Sequence, residues 1–274
     1  MHIDRNHVIE AFKRYTADYN AQDPKILLKI RHTYRVAGLC EQIALSLAGK
    51  AVSDVDIPDG ADSFTARKPD PDFAWLCGML HDTGRFEQVR RYNTFSDALS
   101  VDHAMLGADL LFKENLLETF VPEPQTRMSK EERALLELSI RSHSLYRIPE
   151  DLNEKEQMYC NILRDADKID IFRVNCDTPA EDIYNVTTEE LKSSEVSPEV
   201  KDCFYNRTAV LRSLKKTPVD FLAGHICLYF ELVYDISREL AWKQGYLQKM
   251  LDFESENPQT REWFLYMKEH IRGI

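Results

Sequence analysis

Apolar residues recur at helical spacing along most of the chain, and little of it alternates as a strand would. Ile26, Leu27, Ile30, Val36, Leu39, Ile43 and Leu47 keep one face apolar from Asp23-Pro24 to about Ala48. Asp23 reads as an N-cap, and Pro24 suits the first helical position, where no N–H is required. Phe12, Tyr15 and Tyr19 predict a helix before it. Phe73 to Asp82 is apolar almost all round and predicts a short central helix ended by Thr83-Gly84. Arg85 to Val101 reads as loop with short helical turns, and Asp102 to Lys113 as helix. Ser129 and Glu132 form a capping-box pattern that opens a helix running through Leu135, Leu136, Leu138 and Ile140 to His143. Asn153 to Arg173 predicts a long helix. Phe204 to Ile274 predicts three or four more, with Pro218 and Pro258 at helix starts.

Three stretches read differently. Ser53 to Pro71, rich in Asp, Pro, Ser and Gly, predicts a surface loop, and Pro122 to Thr126 a break. Phe221 to Ile236 is the most apolar run, yet it contains His225, Glu231 and Asp235. It is too polar and too short to cross a bilayer and predicts one buried helix. The fold class is therefore all-α. Residues 1–175 are expected to form a helical core and 176–274 a helical extension packed on it as one structural unit.

Composition sharpens this picture. Only 9 Gly and 11 Pro in 274 residues suit a helical chain, since both are costly inside helices. The formal net charge of −11 argues against nucleic-acid binding, which needs a basic footprint, and against docking on an anionic membrane. It leaves a phosphorylated substrate open, because a bound metal can supply local positive charge. Cys40, Cys77, Cys160, Cys176, Cys203 and Cys227 form no Cys-x-x-Cys pair, so a thiolate zinc site is not expected. They read as small buried residues in a reducing compartment. Met1 to Tyr19 lacks the apolar run of a secretory leader, and the cytoplasm is the expected location.

The chemistry concentrates at few positions. His81-Asp82 closes the apolar segment Trp75 to Leu80. A polar pair there needs partners or costs several kcal/mol of desolvation. Successive helical residues point about 100° apart, so both side chains can line one cavity. His32 sits mid-helix among apolar residues, and Asp167 lies in Arg164-Asp-Ala-Asp-Lys-Ile-Asp170. Two imidazoles and two carboxylates suit Mn, Fe, Zn, Co or Ni, and helical proteins build such centres from inward side chains.

The order His, His-Asp, Asp on consecutive helices resembles the HD-domain superfamily of metal-dependent phosphohydrolases. The matching stretches are Lys29-Ile-Arg-His32-Thr-Tyr-Arg-Val36, Gly78-Met-Leu-His-Asp-Thr-Gly-Arg85 and Asp165-Ala-Asp-Lys-Ile-Asp170. They cover about Lys25 to Phe172, and the C-terminal hundred residues match no family. The resemblance implies one or two divalent ions. His32, His81, Asp82 and Asp167 would hold the first. His103 and His143, with Asp82 bridging, would hold the second, as in the two-metal members. Asp167 is preferred over Asp165 because it stands in the Ala-Asp-Lys unit; Asp165 could instead orient a ligand histidine.

The implied reaction is hydrolysis of a phosphate ester, EC class 3.1, by a metal-bound hydroxide. The substrate would be a small phosphorylated molecule, a nucleotide or a related phosphomonoester or phosphodiester. Asp82, Lys168 and Arg85 are the candidate catalytic residues, the last two as phosphate contacts. Arg141 and the Arg90-Arg91 pair are weaker candidates. His2, His7, His225 and His270 read as structural or exposed. Two other readings stay open: a di-iron oxygenase with the same kind of helical cage, and a non-catalytic nucleotide-binding module. A homo-oligomer also stays open.

Overall fold

A computed structural model describes residues 3–50, 68–123 and 128–272. Most of the loop read at Ser53 to Pro71, and part of the break at Pro122 to Thr126, lies outside those residues. The described residues contain helices and no strand, as the apolar spacing predicts. Contacts divide the chain into two compact units, Met1–Ala166 and Asp167–Ile274.

The first unit holds α1 (Arg5–Ala17), α2 (Pro24–Lys50), α3 (Pro71–Leu80), α4 (Thr83–Tyr92), α5 (His103–Phe112), α6 (Leu117–Phe120), α7 (Lys130–Ser142) and the first half of α8 (Glu154–Asp177). Asp70 caps α3 by accepting from Asp72 and Phe73 amides, with Pro71 at the first position. Ser129 and Glu132 make the reciprocal capping box of α7. The buried stripe of α2 runs through Ile26, Val36, Ala37, Leu39, Cys40, Ile43 and Ala44, and His32 falls within it.

Two close helix crossings set the geometry of this unit. At Gly78 of α3 an added Cβ would lie 2.5 Å from the Ala37 Cα of α2. At Gly84 of α4 it would lie 2.2 Å from the His103 carbonyl oxygen and 2.5 Å from the Gly107 nitrogen of α5. Only glycine permits backbones this near.

Two expectations are corrected. Arg85 to Val101 is not mainly loop: α4 occupies Thr83–Tyr92, followed by a 3-10 turn at Asp97–Leu99. The pattern hid α4 because it buries polar side chains, Glu87 and Gln88, beside Phe86 and Val89. Gln88 is tied down by donating to Asp97, Ser100 and the Val101 carbonyl at 2.8–2.9 Å. Phe221 to Ile236 is likewise not one helix, and its reason lies in the second unit.

That unit continues α8 and adds α9 (Ala180–Tyr184), α10 (Thr188–Ser193), α11 (Pro198–Tyr205), α12 (Pro218–Ile226), α13 (Asp235–Lys243), α14 (Tyr246–Leu251) and α15 (Pro258–His270). The apolar run splits into the end of α12, a 3-10 turn at Cys227–Glu231 and the start of α13. Leu232 takes an extended conformation at the end of that turn, and its buried side chain keeps the run apolar while the helix is interrupted. Pro218 and Pro258 do start helices. Asp220, fully buried, accepts from the Ser197, Lys216 and Thr217 amides and the Ser197 hydroxyl at 2.6–3.0 Å. It thereby ties the starts of α11 and α12 together. Cys40, Cys77, Cys160 and Cys227 are buried as expected, whereas Cys176 and Cys203 are half-exposed.

Candidate metal centre

α3 ends at Leu80, two residues earlier than the pattern indicates, and His81 is its C-cap. Asp82 occupies the N-cap position of α4 but makes no side-chain cap there. Its carboxylate is instead turned to a ring of histidines. The Oδ2 atom lies 3.5 Å from His32 Nε2 and 3.4 Å from His81 Nε2. The Oδ1 atom lies 3.5 Å from His103 Nε2 and 3.8 Å from His143 Nε2. One carboxylate thus faces two histidine pairs, one with each oxygen.

The first pair comes from two helices held by a close crossing, and a second crossing places His103 of the other pair. The Gly78–Ala37 contact brings α2, with His32, against the end of α3, with His81. The Gly84–Gly107 contact brings His103, the first residue of α5, to Asp82. His143 follows α7, whose last carbonyls are gripped by Arg164 of α8: the guanidinium donates to Ser142, His143, Leu145 and Tyr146 oxygens. All five side chains, His32, His81, Asp82, His103 and His143, are at least 95 % buried.

The ring nitrogens are sorted by their second contacts. His81 Nδ1 lies 2.7 Å from the Gly78 carbonyl, and His143 Nδ1 2.7 Å from the Ile140 carbonyl. His103 Nδ1 lies 2.8 Å from Asp97 Oδ2. A carbonyl only accepts, so these Nδ1 atoms carry the protons, and the network thereby assigns the tautomers. The Nε2 atoms of His81, His103 and His143 then present lone pairs. His103 and His143 Nε2 face one another at 3.0 Å, and His32 and His81 Nε2 at 3.3 Å. The opposed lone pairs of His103 and His143 repel at that distance unless a cation or proton sits between them. Burial, followed by the Arg85 charge, pushes the His103 pKa down to about 4, so a proton on His103 is disfavoured at neutral pH. The donor set fits a divalent ion of the borderline class.

Burial opposes ionisation of Asp82, but the charge of Lys29 is the chief influence that outweighs it and holds its carboxyl well below the usual range. Lys29 Nζ donates to Asp82 Oδ2 at 2.7 Å. Arg85 Nη1 donates to Gln88, the Phe95 carbonyl and Asp97. Its Nε is buried, has no hydrogen-bond partner among the described residues and lies 3.7 Å from Asp82 Oδ1.

Lys29 and Asp97 escaped the sequence reading. Lys29 had one signal, its place three residues before His32 on the same helix face. Asp97 had none, being six residues from His103 in a turn. Of the weaker candidates, Arg141 pairs with Asp109 and Glu137, and Arg90 and Arg91 pair with Glu87. Asp165 is fully buried in α8. Asp167 and Lys168 follow on the same helix as the first residues of the second unit. Lys168 Nζ donates there to the Glu231 carbonyl at 3.3 Å.

The HD domain family matches residues 30–173, slightly more than half of the chain. The chain belongs to the HD domain family. No curated protein and no solved structure matches it. HD domains bind divalent metals and, as a superfamily, are metal-dependent phosphohydrolases; this chain's all-helical fold and His/Asp clusters agree with that. Among the described residues no helix is long and apolar enough to cross a membrane.

Asp97 is expected to act through His103. Asp97→Asn keeps the shape but weakens the acceptor that orients the ring. Affinity for a metal ion should fall about 10–100-fold, the usual range for losing such a partner. Metal titration of the variant checks this, and an unchanged affinity would show that the contact is only structural.

Proposed function

We propose that this HD protein hydrolyses a phosphate ester, a nucleotide or a related phosphomonoester or phosphodiester, with two divalent transition-metal ions. The single observation that supports this most is the division of Asp82 between two buried histidine pairs whose Nε2 atoms converge. His32, His81, Asp82 and Asp167 would hold the first ion. His103, His143 and the same Asp82 would hold the second. Asp167 rests on its place in the Ala166-Asp167-Lys168 unit of α8.

Ions held there supply acidified water and positive charge for the phosphoryl oxygens. The protein's own groups do the rest. Lys29 keeps Asp82 ionised, so that both its oxygens accept. The Asp97 and backbone contacts fix the imidazoles of His81, His103 and His143 with Nε2 inward. Arg85 has an unused N–H beside Asp82, suited to a phosphate oxygen. Lys168, next to Asp167 in the Ala166-Asp167-Lys168 unit, is a second cation proposed for the same role.

The test is metal analysis of the purified protein together with phosphate release from a panel of phosphorylated compounds. Two ions per chain and turnover with manganese are expected, and His143→Ala should lose one ion and keep the other. A protein that stays metal-free after soaking, or oxygen uptake with iron(II) in place of phosphate release, would overturn the reading.

A further inference from the structure

Three arginines from separate parts of the second unit line one cavity. Arg207 follows α11, Arg238 lies in α13 and Arg272 follows α15; Tyr229 and Phe230 complete a cavity of about 180 Å³. Like charges repel, so such a cluster in a chain of net charge −11 requires compensation. The protein supplies little. Arg238 pairs with Asp235 at 3.1 Å, in an exposed contact. Arg207 donates to the His270 and Ile271 carbonyls at 3.4 and 3.1 Å, which are neutral partners. Among the described residues neither Arg207 nor Arg272 has a carboxylate partner.

The guanidinium planes are nonetheless held. Arg207 lies over the Phe230 ring at 4.7 Å, and Arg272 over the Trp242 ring at 3.9 Å. Stacking on an aromatic face fixes the plane and leaves the N–H edges available. Arg207 also adopts a left-handed φ of 53°, uncommon for a residue with a side chain. That cost is characteristic of positions where the side chain is put to use.

We propose that this cavity binds a phosphoanion, free or carried on a larger molecule. The guanidinium fork matches phosphate oxygens. Three positive charges against one carboxylate leave two uncompensated, the charge of a phosphate dianion. The cavity is smaller than the roughly 300–1,000 Å³ of sites that enclose a whole drug-sized ligand. It therefore admits the charged group and leaves any remainder outside. None of these residues is a metal ligand, so the proposal stands or falls apart from the reaction at Asp82.

Trp242 reports on the site, since its Nε1 donates to the Tyr229 hydroxyl at 3.0 Å. The full, metal-loaded chain is titrated with phosphate, pyrophosphate and a nucleoside diphosphate, following the Trp242 indole N–H by NMR. Trp242→Phe assigns that signal among the three tryptophans. A saturable shift is expected. Arg238→Ala and Arg207→Gly should each weaken it about tenfold or more, as loss of a charge-assisted contact does. Glycine suits the positive φ, so Arg207→Gly removes the charge without straining the chain. Tighter binding of the nucleoside diphosphate than of pyrophosphate would assign the group to a nucleotide; equal binding would assign the free anion. The proposal is overturned if no anion moves the signal, if chloride at equal ionic strength moves it as far, or if both folded variants keep the original affinity.

Discussion

Asp82→Asn is expected to remove at least one of the two metal ions and to lower phosphate release about 10³-fold or more, beyond the range seen when only an orienting partner is lost. The reason is the symmetry of the carboxylate. Ionised aspartate has two acceptor oxygens, and each faces a different histidine pair at 3.4–3.8 Å. Asparagine has the same shape but only one acceptor end. Whichever way it turns, one pair meets an NH2 group whose hydrogens point at the place a cation must occupy. Lys29 is affected too, because its ammonium donates to Oδ2 at 2.7 Å. With the amide nitrogen on that side, two donors face each other. The amide should therefore turn its oxygen to Lys29, and the His103–His143 pair should be the one that loses its ion. Metal analysis and initial rates on the purified variant decide the matter. Two tightly held ions and a rate within tenfold of the parent would sink the bridging role of Asp82.

The sequence made helix starts legible because caps are local chemistry. Pro24, Pro218 and Pro258 open helices, and Ser129 with Glu132 closes its capping box within four residues. Much of the candidate centre was legible for a related reason: His32, His81, Asp82, His103 and His143 are polar residues set in or beside apolar helices, where only partners justify their burial. The structure brings these five together. What escaped was polar and non-local. α4 buries Glu87 against Arg90 and Arg91 of the same helix and Gln88 through partners on a following turn, so its apolar signal shrinks to Phe86 and Val89. Asp97 reaches His103 only because that turn folds back, and no spacing rule encodes it. The break in Phe221 to Ile236 was hidden because a 3-10 turn buries the same apolar residues a helix would. The arginines around Tyr229 and Phe230 come from positions as far apart as 207 and 272, and only folding assembles them.

The crossing of α4 and α5 gives the second large effect. At Gly84 a methyl group would sit 2.2 Å from the His103 carbonyl and 2.5 Å from the Gly107 nitrogen. Both are backbone atoms, so no side chain can swing aside, and the helices must separate. Overpacking of this kind costs about 1–3 kcal/mol or more, which lowers Tm by roughly 2–10 °C in a protein of this size. Gly84→Ala should show that loss in thermal unfolding. It should also show a specific one, because the displaced element carries His103: the second ion should bind more weakly while the His32–His81 side keeps its ion. Gly38→Ala is the control. An added Cβ there meets nothing within 4 Å, and the residue lies inside α2. Alanine is the better helix former, so that variant should gain about 0.5–1 kcal/mol. If Gly84→Ala melts with the parent and binds both ions equally well, the close crossing is not what holds His103 at Asp82.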